Sequence, residues 1–182
     1  MGCGCGNKQV NSSMIVVPVI EPTEWGPILW RYLHSAVERL GNTASTTQSE
    51  MECYYIKNII TLLPLIIPCR ECQEHAGAYI TENPFPVVMN LTGESFRGVI
   101  RDWLFQFHTA VRVRKGQPVI VSTVAECKQL YQGASITNNE FSIFINAVAS
   151  AARNKWVTLE NWRKWYNFSE RFRGLVGGLI LN

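Results

Sequence analysis

Apolar residues recur every third or fourth position through most of this chain, a period that predicts helices almost from end to end. In "TEWGPILWRYLHSAVERLG", Leu29, Leu33, Ala36 and Leu40 form one stripe, with Thr23 as the cap, Pro27 in the first turn and Gly41 at the stop. Trp30 and His34 lie one turn apart on the neighbouring face. A Ser/Thr-rich linker leads to a second helix over about 48–63, which Pro64 bends or ends. Pro68 opens a short third helix over about 69–81, and the two prolines of "NPFPVVMNLTG" make a loop after it. The longest helix, over about 95–115, carries Phe96, Ile100, Trp103, Leu104, Phe107 and Val111 inward, and "KGQP" stops it. "STVAECKQLYQG" reads as a short helix, and amphipathic stretches follow over about 139–155 and 159–174. The single β-branched run, "PVIVSTV", reads as an extended connector.

These elements predict an all-α protein without internal repeats. A four-helix bundle with a short fifth helix occupies residues 23–133, and a helical C-terminal extension occupies 134–182. Residues 1–22, rich in Gly, Asn and Ser before the apolar "MIVVPVI", read as a flexible N-terminal arm.

Composition narrows the class. With 182 residues, 47% hydrophobic and 17% charged, the chain fills one sizeable core and is too apolar for disorder. A net charge of +3 with scattered positives predicts no nucleic-acid partner. Trp162, Trp165 and Phe172 lie among Arg163, Lys164, Arg171 and Arg173, a pattern that can stack bases. It reads more simply as a helix packed on the bundle, or at a subunit interface, with its charges solvated. No apolar run approaches the ~18 residues of a membrane span. The amino terminus has neither the basic-then-apolar pattern of a secretory signal nor the arginines of a transit peptide, so the expected location is the cytoplasm.

Six cysteines then need explaining. Cys69 and Cys72 form a C-x-x-C, which in a cytosolic chain points to redox chemistry or zinc before a structural bridge. In the first turn of a helix both sulfurs lie near unpaired N–H groups and the positive end of the dipole, and Arg70 adds positive potential. That setting suits a disulfide that opens and closes, because attacking and leaving sulfurs both gain from a stabilised anion. The motif alone also fits half a zinc site or an incidental pair. Cys3, Cys5 and His75 are poorly spaced to complete a zinc site, so no metal is expected. A thioredoxin fold would need a βαβ setting that is absent. Cys53 and Cys127 read as buried free thiols acting as small hydrophobes, a bridge between them being the alternative.

Three segments in order, "GPILWRYLH", "PCRECQEH" and "FHTAVRVRKGQP", resemble the Erv/ALR family of flavin-linked sulfhydryl oxidases. Gly26, Trp30, Leu33 and His34 match the family's first motif, Cys69, Cys72 and His75 the second, and His108, Val111, Gly116 and Pro118 part of the third. All three histidines of the chain fall on motif positions. The resemblance implies a four-helix cradle for FAD, usually in a homodimer, with Cys69 and Cys72 catalytic. It implies Cys72 beside the flavin and Cys69 exchanging with a protein dithiol such as a thioredoxin- or glutaredoxin-like carrier, with O2 as final acceptor and H2O2 as product. The implied cofactor-binding residues are Gly26, Trp30, His34, Tyr55, Cys72, His75, His108, Thr109, Val111, Arg112 and Lys115. Helical spacing agrees with a slot, since Trp30 and His34 share one face and Leu104, His108, Val111 and Arg112 another. Arg112, Arg114 and Lys115 suit a pyrophosphate.

The chain departs from the family at Thr109 and Arg112, which replace asparagines, and at Gln117, which replaces a lysine. Cys127 lacks the partner that cellular members provide for a second, structural disulfide. In character the chain looks most like the oxidases of large cytoplasmic DNA viruses, which implies the host cytoplasm or the virion as its place and virion assembly as its setting. The alternative is a non-catalytic, lipid-anchored helical scaffold whose C-x-x-C is structural or zinc-bound.

The opening "MGCGCG" carries two readings. Gly2 partly matches an acylation pattern, with Cys3 or Cys5 as the second lipid site that stable membrane contact requires. Next to an oxidase core, Cys3 and Cys5 also resemble the shuttle dithiol that family members carry on a flexible arm.

Overall fold

The computed structural model describes residues 18–42, 45–88 and 90–181. Gly2, Cys3 and Cys5, with both readings of the amino terminus, lie outside the described residues.

Helix α1, Pro22–Val37, starts two residues earlier than a cap at Thr23 predicts. Extended Glu21 is the cap position and the fixed φ of Pro22 suits the first turn, so Thr23 falls inside the helix. α1 buries Trp25, Leu29, Tyr32, Leu33 and Ala36. Its continuation turns at Gly41, where φ is +63° and a Cβ would stand 2.6 Å from the Gly93 carbonyl oxygen. Only glycine meets both demands, and this lets the end of α1 cross the start of the long helix α5, Gly93–Arg114.

Between them come α2, Thr46–Thr61, capped by the Ser45 hydroxyl, then α3, Leu63–Ile66, and α4, Arg70–Glu82. Pro64 begins α3 rather than simply ending α2, because a missing N–H costs nothing at a helix start. α6, Val124–Tyr131, is capped by Thr123. Strand β1, Ile136–Thr137, leads into α7, Asn138–Arg153, through a capping box formed by Thr137 and Glu140. α8, Leu159–Val176, is capped by Thr158, and β2, Ile180–Leu181, pairs in parallel with β1 with Ile136 opposite Ile180. The run at 118–123 is irregular, as an extended connector should be.

α1 packs against α5, α6 and α7, while α8 lies on α2 and α3. The C-terminal helices are therefore not an appendage. Leu33, Ile60 and Phe107 from the bundle share one continuous core with Phe144, Val148, Trp165 and Phe172 from the extension. Trp165 is fully buried, and its indole N–H donates to the Ile59 carbonyl at 3.1 Å. The aromatic stripe faces inward, Trp162 stacking on Trp165 at 5.4 Å, while Arg163 and Lys164 stay exposed. At the other end, Ser150 donates to the Pro18 carbonyl at 2.5 Å, seating the segment before α1 on α7. No helix among the described residues is long and apolar enough to cross a membrane.

Candidate functional site

Cys69 is the N-cap of α4, with extended backbone that stops the preceding turn, and Cys72 sits three residues on in the first turn. The two are joined by a disulfide with Cα atoms 5.2 Å apart. The Cys72 N–H donates to the Cys69 sulfur at 3.2 Å, so the sulfur occupies the place of a capping oxygen. Gln73 holds this turn from behind, its side-chain amide donating to the Ile67 carbonyl at 2.8 Å and the Trp156 carbonyl at 3.1 Å. Through Trp156, the loop between α7 and α8 braces the disulfide.

Cys72 opens into a cavity of about 850 Å³ bounded by α1, α4, α5 and the 117–135 segment. Small-molecule and cofactor sites generally span ~300–1,000 Å³. Gly26, Trp30, His34, His75, His108, Thr109, Val111, Arg112 and Lys115 all line it together with Cys72. A Cβ at Gly26 would meet only open space, so α1 presents bare backbone there. His75 lies 3.8 Å from Glu71 on the same helix. Cations gather at the rim: Arg31, Arg112, Arg114 and Lys115 line the cavity, and Lys115 Nζ is 3.8 Å from the Cys72 sulfur. Arg112 is partly engaged, donating from Nε to the Pro118 carbonyl at 2.7 Å.

Tyr55 is not part of this site, contrary to the cofactor role implied for it. It packs on Phe168 of α8 at 6.2 Å and lines no part of the cavity. The buried stripe of α2 runs through Glu52, Ile56, Ile59 and Ile60, and Tyr55 flanks it on the side that α8 covers.

Two histidines meet at the cavity wall. His34 Nε2 and His108 Nδ1 are 3.0 Å apart. Trp30 stacks on the His108 ring at 4.1 Å and 8°, and Tyr131 stacks on His34 at 4.4 Å and 9°. Burial lowers the His34 pKa to about 3, with the neighbouring His108 adding to the effect. Burial and the Arg112 charge lower His108 to about 4. Both rings are therefore neutral near pH 7, and one must donate to the other.

Cys127 also lines the cavity, with its sulfur 3.5 Å from His34 Nδ1. Burial, and then the Glu38 charge, raise its pKa to about 11, so it stays a thiol. Sequence reading as a small hydrophobe described its burial but missed this polar contact. Tyr131 was missed too, although its i, i+4 spacing from Cys127 on a capped helix was legible. Cys53 is a half-buried free thiol, so the two thiols do not bridge.

Residues 27–132, more than half of the chain, match the model of the Erv1/Alr family. The chain belongs to the Erv1/Alr family. An FAD-linked sulfhydryl oxidase of African swine fever virus is 30% identical over 128 residues, which cover 69% of this chain and 97% of that protein. A second isolate of that virus has a relative with the same name, also 30% identical over 128 residues. A protein of Invertebrate iridescent virus 6, provisionally named an FAD-linked sulfhydryl oxidase, is 26% identical over 111 residues, covering 60% of this chain and 95% of its own. No solved structure matches the chain. The Erv1/Alr match ends at residue 132, so α7 and α8, which brace the disulfide through Trp156, lie beyond it.

Proposed function

We propose that this Erv1/Alr protein is an FAD-dependent thiol oxidase that makes disulfides in protein dithiols. The observation that carries the reading is the Cys69–Cys72 disulfide, open through Cys72 into a cavity with an aromatic wall and a cationic rim. These features fit FAD. Trp30, His34 and His108 supply flat surfaces for its ring systems, bare Gly26 leaves room, and Arg31, Arg112 and Arg114 oppose its pyrophosphate.

The protein's own part is thiol–disulfide exchange. A substrate thiolate attacks Cys69 Sγ, the Cys69–Cys72 bond breaks, and Cys72 leaves as a thiolate beside the Lys115 ammonium. The second substrate thiol then attacks its own sulfur in the mixed disulfide. Cys69 leaves toward the N–H of Cys72 and the N-terminus of α4, and the substrate departs oxidised. Two electrons and two protons are now held as the Cys69 and Cys72 thiols. FAD held by the residues lining this cavity would supply the two-electron acceptor for these thiols and pass the electrons to O2, giving H2O2. Small thioredoxin- or glutaredoxin-like carriers are the class of dithiol donor that suits a half-buried Cys69.

Purified protein should carry flavin absorbance and consume O2 when given a dithiol, with one H2O2 formed per disulfide. Cys72→Ser should abolish turnover while retaining flavin. A folded preparation that stays colourless after incubation with FAD would overturn the reading, and zinc bound in its place would favour the scaffold alternative.

A further inference from the structure

We propose that the Cys127 thiol is a positioning residue that donates to His34 Nδ1 and thereby fixes the tautomers of both cavity histidines. The distances form a single chain: Cys127 Sγ to His34 Nδ1 at 3.5 Å, then His34 Nε2 to His108 Nδ1 at 3.0 Å. Two neutral imidazoles in such a chain have two self-consistent arrangements. Either every proton points from Cys127 toward His108, or every proton points back. The thiol decides between them. Sulfur is a weak acceptor, and this sulfur keeps its proton because burial and the Glu38 carboxylate oppose its ionisation. Cys127 therefore donates, His34 Nδ1 accepts, and His34 carries its proton on Nε2 and donates it to His108 Nδ1. His108 is left with its proton on Nε2, so the nitrogen that His34 does not engage is a donor.

Each ring is stacked against an aromatic neighbour in this arrangement. Tyr131 covers His34 and Trp30 covers His108, both nearly parallel to the ring they touch. Cys127 and Tyr131 lie one turn apart on α6, so a single short helix both stacks on His34 and orients it. The charged groups around the chain are Glu38 and Arg101 beside Cys127, Arg31 near Tyr131, and Arg112 beside His108. With FAD in the cavity, as proposed above, the directed His108 N–H gives its wall a fixed donor. Part of the inference therefore rests on that reading.

Long-range 1H–15N NMR of the holoprotein labelled at histidine reads the tautomers, and three histidines keep the spectrum simple to assign. Wild type and Cys127→Ser should both show His34 and His108 protonated on Nε2. Cys127→Ala should release His34 into a mixture of tautomers and weaken FAD binding about tenfold, the loss of one directed hydrogen bond, with Ser staying within about twofold of wild type. A wild-type His34 carrying its proton on Nδ1, or a folded Cys127→Ala with unchanged tautomers, would overturn the proposal. The wild-type spectrum decides even where the alanine variant fails to fold. Absence of FAD from the sample would count against the flavin reading alone, since the tautomers are read from the histidines themselves.

Discussion

The Lys115 ammonium stands 3.8 Å from the Cys72 sulfur, bringing the end of α5 onto the first turn of α4 across 43 residues of sequence. A unit charge at ~4 Å in water stabilises an anion by about 1 kcal/mol, and salt screens it at an exposed site such as this. Lys115→Gln should therefore slow reduction of the Cys69–Cys72 disulfide by a dithiol roughly fivefold at low salt, and the deficit should shrink as salt rises. Lys115→Arg should keep most of the rate. Stopped-flow reduction across a salt series measures both, and a rate indifferent to Lys115 would remove it from the exchange step.

The placement of the Cys69–Cys72 pair, the three histidines and the aromatic slot was legible because it is tied to sequence spacing. A C-x-x-C at a helix start, or Trp30 and His34 one turn apart, keeps its meaning whatever packs around it. Tyr55 was misplaced because helical period says that a residue flanks a buried stripe without saying which neighbour covers that flank. α8 covers it, and only the tertiary fold shows this. Cys127 was half-read for the same reason. Burial follows from its residue type, but its partner His34 comes from a helix 93 positions away. The extension is amphipathic in sequence, yet its share in the common core depends on its matching the stripe of α2.

Acid should destabilise the fold before its carboxylates begin to protonate. His34 and His108 have folded pKa values of about 3 and about 4 against an ordinary 6.5. Between these values the unfolded chain binds more protons than the folded one, so stability rises with pH there. The contribution is fully present above about pH 6.5 and is lost as pH falls toward 4, on the order of 3 kcal/mol or more for the pair. Glu94, held down to about 2 chiefly by its hydrogen bond to Arg101, acts in a lower window, losing its contribution as pH falls below 4.5. Thermal melts from pH 7 to 4.5 should show Tm falling, with a shallower slope in His34→Asn. Equal slopes would mean that the pair titrates normally in the folded protein.

A buried bidentate ion pair joins α1 to α5. Arg101 Nε and Nη2 donate to the two Glu38 oxygens at 2.5 and 2.8 Å, with both side chains almost wholly covered. Arg101 also reaches Glu94 at 2.8 Å, and Lys128 of α6 reaches the same carboxylate at 2.9 Å, so three helices meet in one network. Glu38→Ala leaves a buried guanidinium short of its main partner and should destabilise by about 3–5 kcal/mol. Glu94→Ala, at a half-exposed carboxylate, should remove only about 1 kcal/mol. Replacing Glu38 and Arg101 together with Leu and Met should recover much of the loss. Urea unfolding of the three variants checks the order, and a Glu38→Ala protein as stable as wild type would mean that water reaches the pair.

Trp165 ties α8 to the bundle through Tyr32 of α1 and Ile59 of α2. Its ring is fully covered by Trp162, Phe144 and Tyr32, and its N–H satisfies the Ile59 carbonyl on α2. Trp165→Ala should destabilise by ~3–5 kcal/mol through the cavity it opens. Trp165→Phe should cost less, retaining most of the apolar surface while leaving the Ile59 carbonyl unpaired. Total stability for a domain is only ~5–15 kcal/mol, so removing all of α8 exceeds what the bundle can lose. A chain ending at residue 157 should therefore fail to unfold cooperatively, since Ile56, Ile59 and Ile60 would be uncovered. Calorimetry of the truncated chain decides the point. A sharp transition near the full-length Tm would show that the bundle with α7 folds without α8, and that α8 does not share in the stability of the scaffold.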